Sequence, residues 1–229
     1  MCGCGFEGEG GDEQGGVSQI IARNVAFCAN VGCRTDAFLL NLQSTFSALS
    51  ALPIPTISAI SSVALGGGLE LALCTHFRVL ASTAQVGLPE TRLGIIPGAG
   101  GTYRLPGLIG LSRARDMILT GRRVSAPEAY FLGIADRLVQ VVPNEAADGH
   151  EEIKPDMAKA RDETLKEAIK LAGEICEGGP IAIRAALNAV QWAREEVENK
   201  MYQRVIGTDD RNEALQAFRE KRKPVFKGR

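Results

Sequence analysis

Two acidic residues in the middle of the chain stand beside glycine-rich segments. Glu70 comes just after the consecutive glycines 66–68, and Glu90 stands a few residues before a second glycine-rich segment, 94–102. Two carboxylates that converge on one turn with free backbone N–H groups suit general acid/base addition of water to a polarised double bond. A lone glycine triplet would be explained better by tight packing of a helix on a strand. It is the second carboxylate, Glu90, that favours the catalytic interpretation.

The residues around Glu70 predict a strand, a sharp turn and the start of a helix. Residues 57–65 form a mostly apolar and β-branched run, which is typical of a buried strand in a sheet covered on both faces. The glycines at 66–68 permit a sharp turn, and residues 69–73 have a helical composition. A helix start carries unpaired N–H groups and a partial positive charge, where an anion or an oxygen that becomes anionic can bind.

Further elements are predicted on both sides of this segment. Residues 36–49 have apolar residues at helical spacing, and residues 77–81 predict a second buried strand. A strand–helix–strand order implies parallel strands joined by crossovers. Residues 111–121 predict a helix, Ser125 is a suitable N-cap for another, and residues 134–139 predict the last short strand.

Beyond a polar and acidic loop at 144–156 the pattern is helical. Helices are predicted before the Gly-Gly-Pro at 178–180, from 180 to 196, from 198 to 206, and from a cap at 208–210 to residue 223. The first of these helices carries a predicted apolar stripe: Leu165, Ala168, Ile169, Ala172 and Ile175.

Two long motifs are similar to signature sequences of one enzyme family. The first, ALGGGLELAL, spans residues 64–73, and the second, GLPETRLGIIPGAGGTYRL, spans residues 87–105. Both resemble the enoyl-CoA hydratase/isomerase (crotonase) superfamily, and residues 52–57 with the C-terminal tail resemble its methylglutaconyl-CoA hydratase branch. The resemblance extends from about Phe38 to Arg229, with several motifs in the family's order.

The resemblance implies an α/β fold, in which ββα units form a spiral of the ClpP/crotonase type and a helical C-terminal region serves trimerisation. Three parts of the chain are therefore expected. Residues 1–16 form a disordered, glycine-rich tail, residues 17–143 a crotonase core that is incomplete at its N-terminal end, and residues 144–229 the helical C-terminal region.

The resemblance also implies the reaction and the residues that carry it. An enoyl-CoA hydratase adds water across the 2,3 double bond of an acyl-CoA thioester, of the kind formed in fatty-acid or leucine catabolism. The backbone N–H groups of Gly67 and Val31 would bind the thioester oxygen, while Glu70 and Glu90 would hold the water and transfer protons. The residues implied to contact the substrate are Ala29, Gly66, Gly68, Pro89, Gly98, Tyr202 and Lys221.

The chain departs from the family pattern near residues 27–33. It reads Phe-Cys-Ala-Asn-Val-Gly-Cys where the family has a phrase like Phe-Cys-Ala-Gly-Ala-Asp, so Asn30 replaces a glycine and Gly32 replaces the aspartate. The loop that follows is short, and strands that normally precede this point are expected to be missing. A crotonase-fold protein that binds CoA or assembles with relatives, but is catalytically impaired, therefore remains an alternative.

The basic tail at 219–229 has three interpretations. The simplest is a solvated helix end, whose cations suit the negative end of the helix dipole. The resemblance adds a contact between Lys221 and a CoA phosphate. RNA binding is the weakest, because the RNA-binding member of the related branch carries a Lys-rich N-terminal helix that has no counterpart in this sequence.

Composition argues against several classes of partner. A formal net charge of −1 and an aromatic content of 5% are unfavourable for nucleic-acid binding, which uses basic surfaces and stacking platforms. No apolar run reaches the roughly 18 residues that a membrane span needs. The expected partners are an acyl-CoA substrate and further copies of the chain, in a homotrimer or hexamer.

The cysteines and histidines do not form a recognisable metal or disulfide pattern. The six cysteines lack ligand-type spacing and the two histidines, His76 and His150, are far apart, so free thiols and no metal site are expected. His76 occupies a position where the family usually has Asp, which indicates a structural substitution. No cofactor is expected, since coenzyme A is part of the substrate.

Localisation follows only from the resemblance, which implies mitochondria. Residues 1–16 are rich in glycine and acidic residues, unlike a usual mitochondrial presequence, which is rich in Arg and poor in acidic residues. A cytoplasmic location therefore stays open.

Overall fold

The computed structural model describes residues 35–142, 156–193 and 195–229. The predictions for the tail at 1–16, for a strand within 17–28 and for the loop before residue 156 lie outside the described residues. The boundary proposed between 143 and 144 also stays a prediction.

Short strands and helices alternate in the first described part, and the predicted helices at 36–49 and 111–121 are confirmed to within a residue. In chain order the elements are α1 (Thr35–Ser50), β1 (Ile57–Ile60), β2 (Val63–Leu65), α2 (Gly67–Ala72), β3 (Phe77–Ala81), β4 (Gln85–Gly87), a 3₁₀ helix (Glu90–Leu93), α3 (Gly101–Ile109), α4 (Leu111–Thr120), β5 (Arg123–Ser125), α5 (Ala126–Leu132) and β6 (Arg137–Val139).

The strands form two three-stranded sheets within the described residues. One has the order β1-β3-β6 and is parallel throughout, and the other has the order β2-β4-β5, in which β2 and β4 are parallel and β5 is antiparallel. Ile57 pairs with Phe77 in the first sheet, and Val63 pairs with Gln85 in the second. Each successive pair of strands thus adds one strand to each sheet, as the predicted ββα spiral requires.

The single buried strand predicted over residues 57–65 is wrong. The segment divides into β1 and β2 at Ser61 and Ser62, because its two halves pair with strands of different sheets. β1 is half-buried, with Ala59 exposed, since it lies at the edge of its described sheet. By contrast, β3 is buried as predicted.

One apolar cluster anchors the elements on either side of the two acidic residues. Leu69 of α2 and Leu88, just after β4, are fully buried in it together with Leu105 of α3 and Met117 of α4. Full burial of such a side chain stabilises the fold by roughly 1.5–3 kcal/mol. Because Leu69 precedes Glu70 and Leu88 lies two residues before Glu90, this core holds the backbone of both acidic residues in place.

The described C-terminal part is helical, as predicted. Its elements are α6 (Met157–Cys176), α7 (Pro180–Trp192), α8 (Glu195–Ile206) and α9 (Asp209–Glu220). Asp156 caps α6 by accepting a hydrogen bond from the N–H of Lys159, and Thr208 caps α9. No helix in the described ranges combines the length and apolarity that crossing a membrane requires.

The apolar stripe predicted for α6 is rotated relative to the face that is buried. Leu165 and Ile169 are 49% and 62% exposed. The buried face carries mostly small side chains that let the helix lie close to the sheet β1-β3-β6, and it consists of Ala160, Thr164, Ala168 and Leu171. The prediction placed the larger residues inside, whereas close approach to the sheet favours the smaller ones.

Candidate active site

A glycine turn begins the site. Gly66 precedes α2 with φ 56° and ψ −127°, a conformation that favours glycine. Its N–H donates to the carbonyl of Gly87 at 2.9 Å, which ties the turn to the end of β4. A Cβ on Gly66 would lie 3.2 Å from Oε1 of Glu90. The turn therefore lies directly beside one of the two predicted carboxylates.

Glu70 lies in the first turn of α2 and is 3% exposed. Its Oε1 oxygen accepts hydrogen bonds from the backbone N–H groups of Ala99 and Gly101, both at 2.8 Å. A Cβ on Gly101 would lie 3.1 Å from the same oxygen, so glycine permits this close approach. Such a pair of donors is suited to an ionised carboxylate.

The loop that binds Glu70 is itself held by two side chains. Gln43 of α1 donates from Nε2 to the carbonyl of Gly98 at 2.7 Å, and Arg104 of α3 donates from a guanidinium nitrogen to the carbonyl of Ala99 at 2.8 Å. Helices on both sides of the loop thus position the N–H groups that reach Glu70.

Glu90 is the first residue of the 3₁₀ helix and is 9% exposed. Its Oε2 oxygen is buried and has no hydrogen-bond partner among the described residues. Burial, together with the nearby negative charge of Glu70, raises the pKa of the Glu90 carboxyl to about 7. This carboxyl can therefore carry a proton near neutral pH.

The two carboxyl groups have different surroundings and lie close enough to interact electrostatically. One binds two backbone N–H groups, and the other is buried with an unpartnered oxygen. An ionised carboxylate beside a protonated one can serve as base and acid in a single reaction. The geometry of Glu70 and Glu90 is suited to proton transfer to and from a bound molecule.

The structure brings several of the other predicted site residues to the same place. Gly67 begins α2, and its N–H has no hydrogen-bond partner among the described residues. Gly68 follows it, Pro89 precedes the 3₁₀ helix, and Gly98 lies in the loop that binds Glu70. Their predicted roles toward a substrate stay predictions.

The roles of the remaining predicted residues also stay predictions. Tyr202 is exposed on α8 and Lys221 follows the end of α9, and neither side chain has a hydrogen bond or ion pair with the described residues around Glu70 and Glu90. Ala29 and Val31 lie outside the described residues.

Sequence reasoning missed the donors of Glu70. Ala99 and Gly101 belong to a glycine-rich run that is evident in the sequence, but which oxygen their N–H groups reach depends on a contact across some 30 residues. The useful signal was the run of small residues at 98–101, which permits close backbone approach. Within the described ranges, no group of three or more His, Cys, Asp or Glu is placed to hold a metal ion.

Comparison with known proteins shows the family of the chain. Residues 27–229 match the family described as enoyl-CoA hydratase/isomerase, and the chain belongs to that family. It is 63% identical to methylglutaconyl-CoA hydratase 1, mitochondrial, of Pyricularia oryzae, over 98% of this chain and 69% of that protein. It is 61% identical to an enoyl-CoA isomerase/hydratase of Zymoseptoria tritici, over 89% of this chain and 68% of that protein.

Solved structures give the same result for the fold. The crystal structure of enoyl-CoA hydratase from Bacillus anthracis superposes with a TM-score of 0.72 at 38% identity, covering 95% of this chain and 74% of that one. The predicted family, the α/β crotonase-type fold and the prediction of an enzyme of the enoyl-CoA hydratase type are thereby confirmed.

Proposed function

We propose that the chain adds water across the 2,3 double bond of an acyl-CoA thioester, with Glu70 as base and Glu90 as acid. The observation that carries this proposal is the unequal pair of carboxyl groups. Glu70 receives two backbone N–H donors, whereas Glu90 is buried, lacks a partner for Oε2 among the described residues and has a pKa of about 7. Two carboxyl groups in such different surroundings meet the needs of hydration.

In the proposed reaction, Glu70 takes a proton from a water molecule held between the two carboxyl groups. The water oxygen bonds to C3, and the electrons of the double bond move toward the thioester to form an enolate. Glu90 then gives its proton to C2. The product has gained one water molecule, and the proton taken by Glu70 can restore the proton of Glu90.

Stabilisation of the enolate is assigned to the glycine turn. By family resemblance, the N–H of Gly67 would donate to the thioester oxygen, with Val31 as the second donor. Loss of one such donor typically costs about 2.7–4 kcal/mol of transition-state stabilisation. Proton transfer and charge stabilisation would both come from the chain and its substrate, so the proposed reaction uses no separate metal or redox cofactor.

The substrate proposed for the first test is 3-methylglutaconyl-CoA, an intermediate of leucine breakdown. The support is the name of the Pyricularia oryzae relative, together with its 63% identity to this chain.

The name of the same relative includes a mitochondrial location, which we propose for this chain as well. Fractionation of cells that express the tagged full chain would test the location, and enrichment in the cytosol would contradict it.

Assembly into a homotrimer, or a hexamer of two trimers, is proposed from the surface of the C-terminal helices. Burial of exposed large apolar side chains between subunits is a common source of oligomer stability. Light scattering on the purified chain would give the subunit number, and a monomer at micromolar concentration would contradict the proposal. The side chains concerned are Val190, Trp192, Tyr202, Ile206, Leu215 and Phe218.

A hydration assay tests the central proposal. Loss of enoyl-thioester absorbance is followed with 3-methylglutaconyl-CoA and with crotonyl-CoA, for the parent and for Glu70→Gln and Glu90→Gln. The parent should turn over, and each variant should lose about 10²–10⁴-fold in kcat. Glu198→Gln, an exposed change on α8, is the matched control. A folded parent without turnover, yet able to bind CoA, would instead support the catalytically impaired alternative.

A further inference from the structure

The 3₁₀ helix that carries Glu90 is too short to fix its own position. It consists of one turn, Glu90–Leu93, closed by hydrogen bonds from Arg92 N–H to the carbonyl of Pro89 and from Gly94 N–H to the carbonyl of Thr91. Such isolated turns have weak hydrogen-bond geometry and depend on tertiary contacts. Because Oε2 of Glu90 has no partner among the described residues, the backbone of this turn must position the carboxyl group.

The two residues after Glu90 bind the end of a neighbouring helix. The hydroxyl of Thr91 donates to the carbonyl of Ile118 at 2.8 Å, and Nε of Arg92 donates to the carbonyl of Thr120 at 3.0 Å. Both acceptors lie in the last turn of α4, where carbonyl groups lack partners within the helix. The side chains thus satisfy the helix end and attach the turn to it.

The residue that follows α4 is shaped for this attachment. Gly121 ends the helix with φ 59°, and a Cβ there would lie 2.9 Å from Cγ of Arg92. Any side chain at this position would push the stem of Arg92 away from the helix end. In this contact, the end of α4 contributes backbone carbonyl groups and the bare Gly121, and the 3₁₀ helix contributes the side chains of Thr91 and Arg92.

We propose that Thr91 and Arg92 are positioning residues, which hold Glu90 in place for its role as acid by attaching the 3₁₀ helix to the end of α4. The inference rests on the proposed function of Glu90. Neither residue is assigned contact with the substrate or with the reacting atoms.

The physical consequence of losing the attachment concerns both distance and hydration. The turn would move toward solvent, and water would reach the carboxyl group of Glu90. Since burial is the main cause of its raised pKa, the pKa would fall toward the ordinary value of 4.5. Less of the acid form would then be present at neutral pH.

The two residues should contribute unequally. Thr91 is half-buried, whereas Arg92 is exposed, so water can replace the Arg92 hydrogen bond more readily. The test therefore centres on Thr91→Val, which keeps the shape of the side chain and removes its donor. Thr91→Ser restores the donor, and Arg92→Met keeps the stem while removing Nε.

Kinetics give the first measurement. Thr91→Val should lower kcat about 10- to 100-fold with KM changed less than about 2-fold, because displacement of a catalytic group affects the chemical step. Its loss of kcat/KM at high pH should begin at a lower pH than in the parent. Thr91→Ser should keep most of the activity that Thr91→Val loses. Arg92→Met should change kcat and the pH profile in the same direction as Thr91→Val, but by less.

Two matched controls separate this effect from general loss of side-chain contacts. Thr45→Val removes a hydroxyl that donates to the carbonyl of Asn41, also at 2.8 Å, on the exposed side of α1. Arg115→Met removes an exposed guanidinium from α4 itself. Both controls should keep the parent's kcat and pH profile.

A second measurement does not depend on catalysis. Carbon-13 NMR of labelled glutamate carboxyl groups, with Glu90 assigned by its loss in Glu90→Gln, gives the titration midpoint of Glu90 in each variant. Thr91→Val should shift the midpoint downward by about one pH unit, on the scale at which burial shifts carboxyl pKa values. This result would support the attachment even if the parent lacked hydratase activity, which would overturn the proposed function alone.

Unchanged titration and unchanged kcat in Thr91→Val would overturn the inference. A rise in KM with no change in the pH profile would also overturn it, because that pattern indicates lost binding rather than a displaced acid. If Thr91→Val does not fold, Arg92→Met and the Thr91→Ser comparison provide the same two measurements and the same criteria.

Discussion

Oε1 of Glu90 lies beside Gly66, so closely that a Cβ on this glycine would stand 3.2 Å from it. The glycine therefore has two functions: it adopts a positive φ and it leaves room for the carboxyl group. The two functions can be separated experimentally, because other glycines of the fold have only the first.

Gly66→Ala should reduce both stability and activity. A positive φ combined with a ψ of −127° is a backbone region that alanine rarely adopts, at a cost of about 1–3 kcal/mol. The new methyl group would also press on the Glu90 carboxyl. Gly110 has φ 80°, and a methyl group added there would meet nothing within 4 Å, so Gly110→Ala should lose similar stability while keeping kcat. Thermal unfolding and hydration kinetics on both variants measure the difference. Equal loss of kcat in the two would show that crowding of Glu90 does not matter.

The activity should fall at alkaline pH as Glu90 loses its proton. With a pKa of about 7, the acid form is half-populated near neutrality and declines about tenfold for each further pH unit. The plot of log kcat/KM against pH should therefore bend downward near pH 7. A profile that stays flat to well above neutrality would argue against Glu90 as the acid of the free enzyme.

The two hydrogen bonds to Glu70 predict different results for two substitutions. In Glu70→Gln the side-chain oxygen can still accept from Ala99 and Gly101, so the fold should remain stable while kcat falls. Glu70→Ala leaves both buried N–H groups without this acceptor, at about 1–3 kcal/mol each. Chemical denaturation of the two variants gives the comparison. Similar stability of Gln and Ala variants would mean that these bonds contribute little to folding.

His76 should make stability depend on pH. The N–H of Thr56 donates to Nδ1 of His76 at 3.1 Å, so this nitrogen must be unprotonated. Burial, and then the positive charge of Arg78, lower the pKa of His76 below its ordinary 6.5. As pH falls, His76 takes up its proton in the unfolded state before it does so in the folded state. The stability that neutral His76 contributes to the fold is therefore fully present above pH 6.5 and is lost progressively below it.

The measurement is the melting temperature at about pH 7.5 and about pH 5, on either side of the ordinary histidine range. The parent should lose more stability at the lower pH than His76→Asn, which offers an uncharged acceptor that does not titrate. Thr45→Val, which leaves the histidine untouched, should follow the parent. The same loss in the parent and in His76→Asn would assign the pH dependence to other groups.

Several features could be predicted because they depend on contiguous residues. The motif at 64–73 indicated the turn and helix that carry Glu70, and the motif at 87–105 indicated the second carboxylate. The first motif acts through local geometry, namely a positive φ at Gly66 and a helix start at Gly67. The helix at α4 and the Ser125 cap of α5, which accepts from the N–H of Glu128, follow from local patterns too.

Other features were decided by packing between distant parts of the chain. The run at 57–65 contains nothing that predicts which half joins which sheet, because that depends on where β3 and β4 lie. Likewise, helical spacing allowed two faces of α6, and only the sheet beneath it selected the one with Thr164 and Leu171.

The sequence by itself determined that two carboxylates accompany a glycine turn in a chain of the hydratase/isomerase family. Only the tertiary structure decided what distinguishes them. Glu70 is bound by N–H groups some 30 residues away, and the pKa of Glu90 is raised because the folded chain removes it from water. Burial and long-range hydrogen bonds are properties of the packed chain, so no run of neighbouring residues could have shown them.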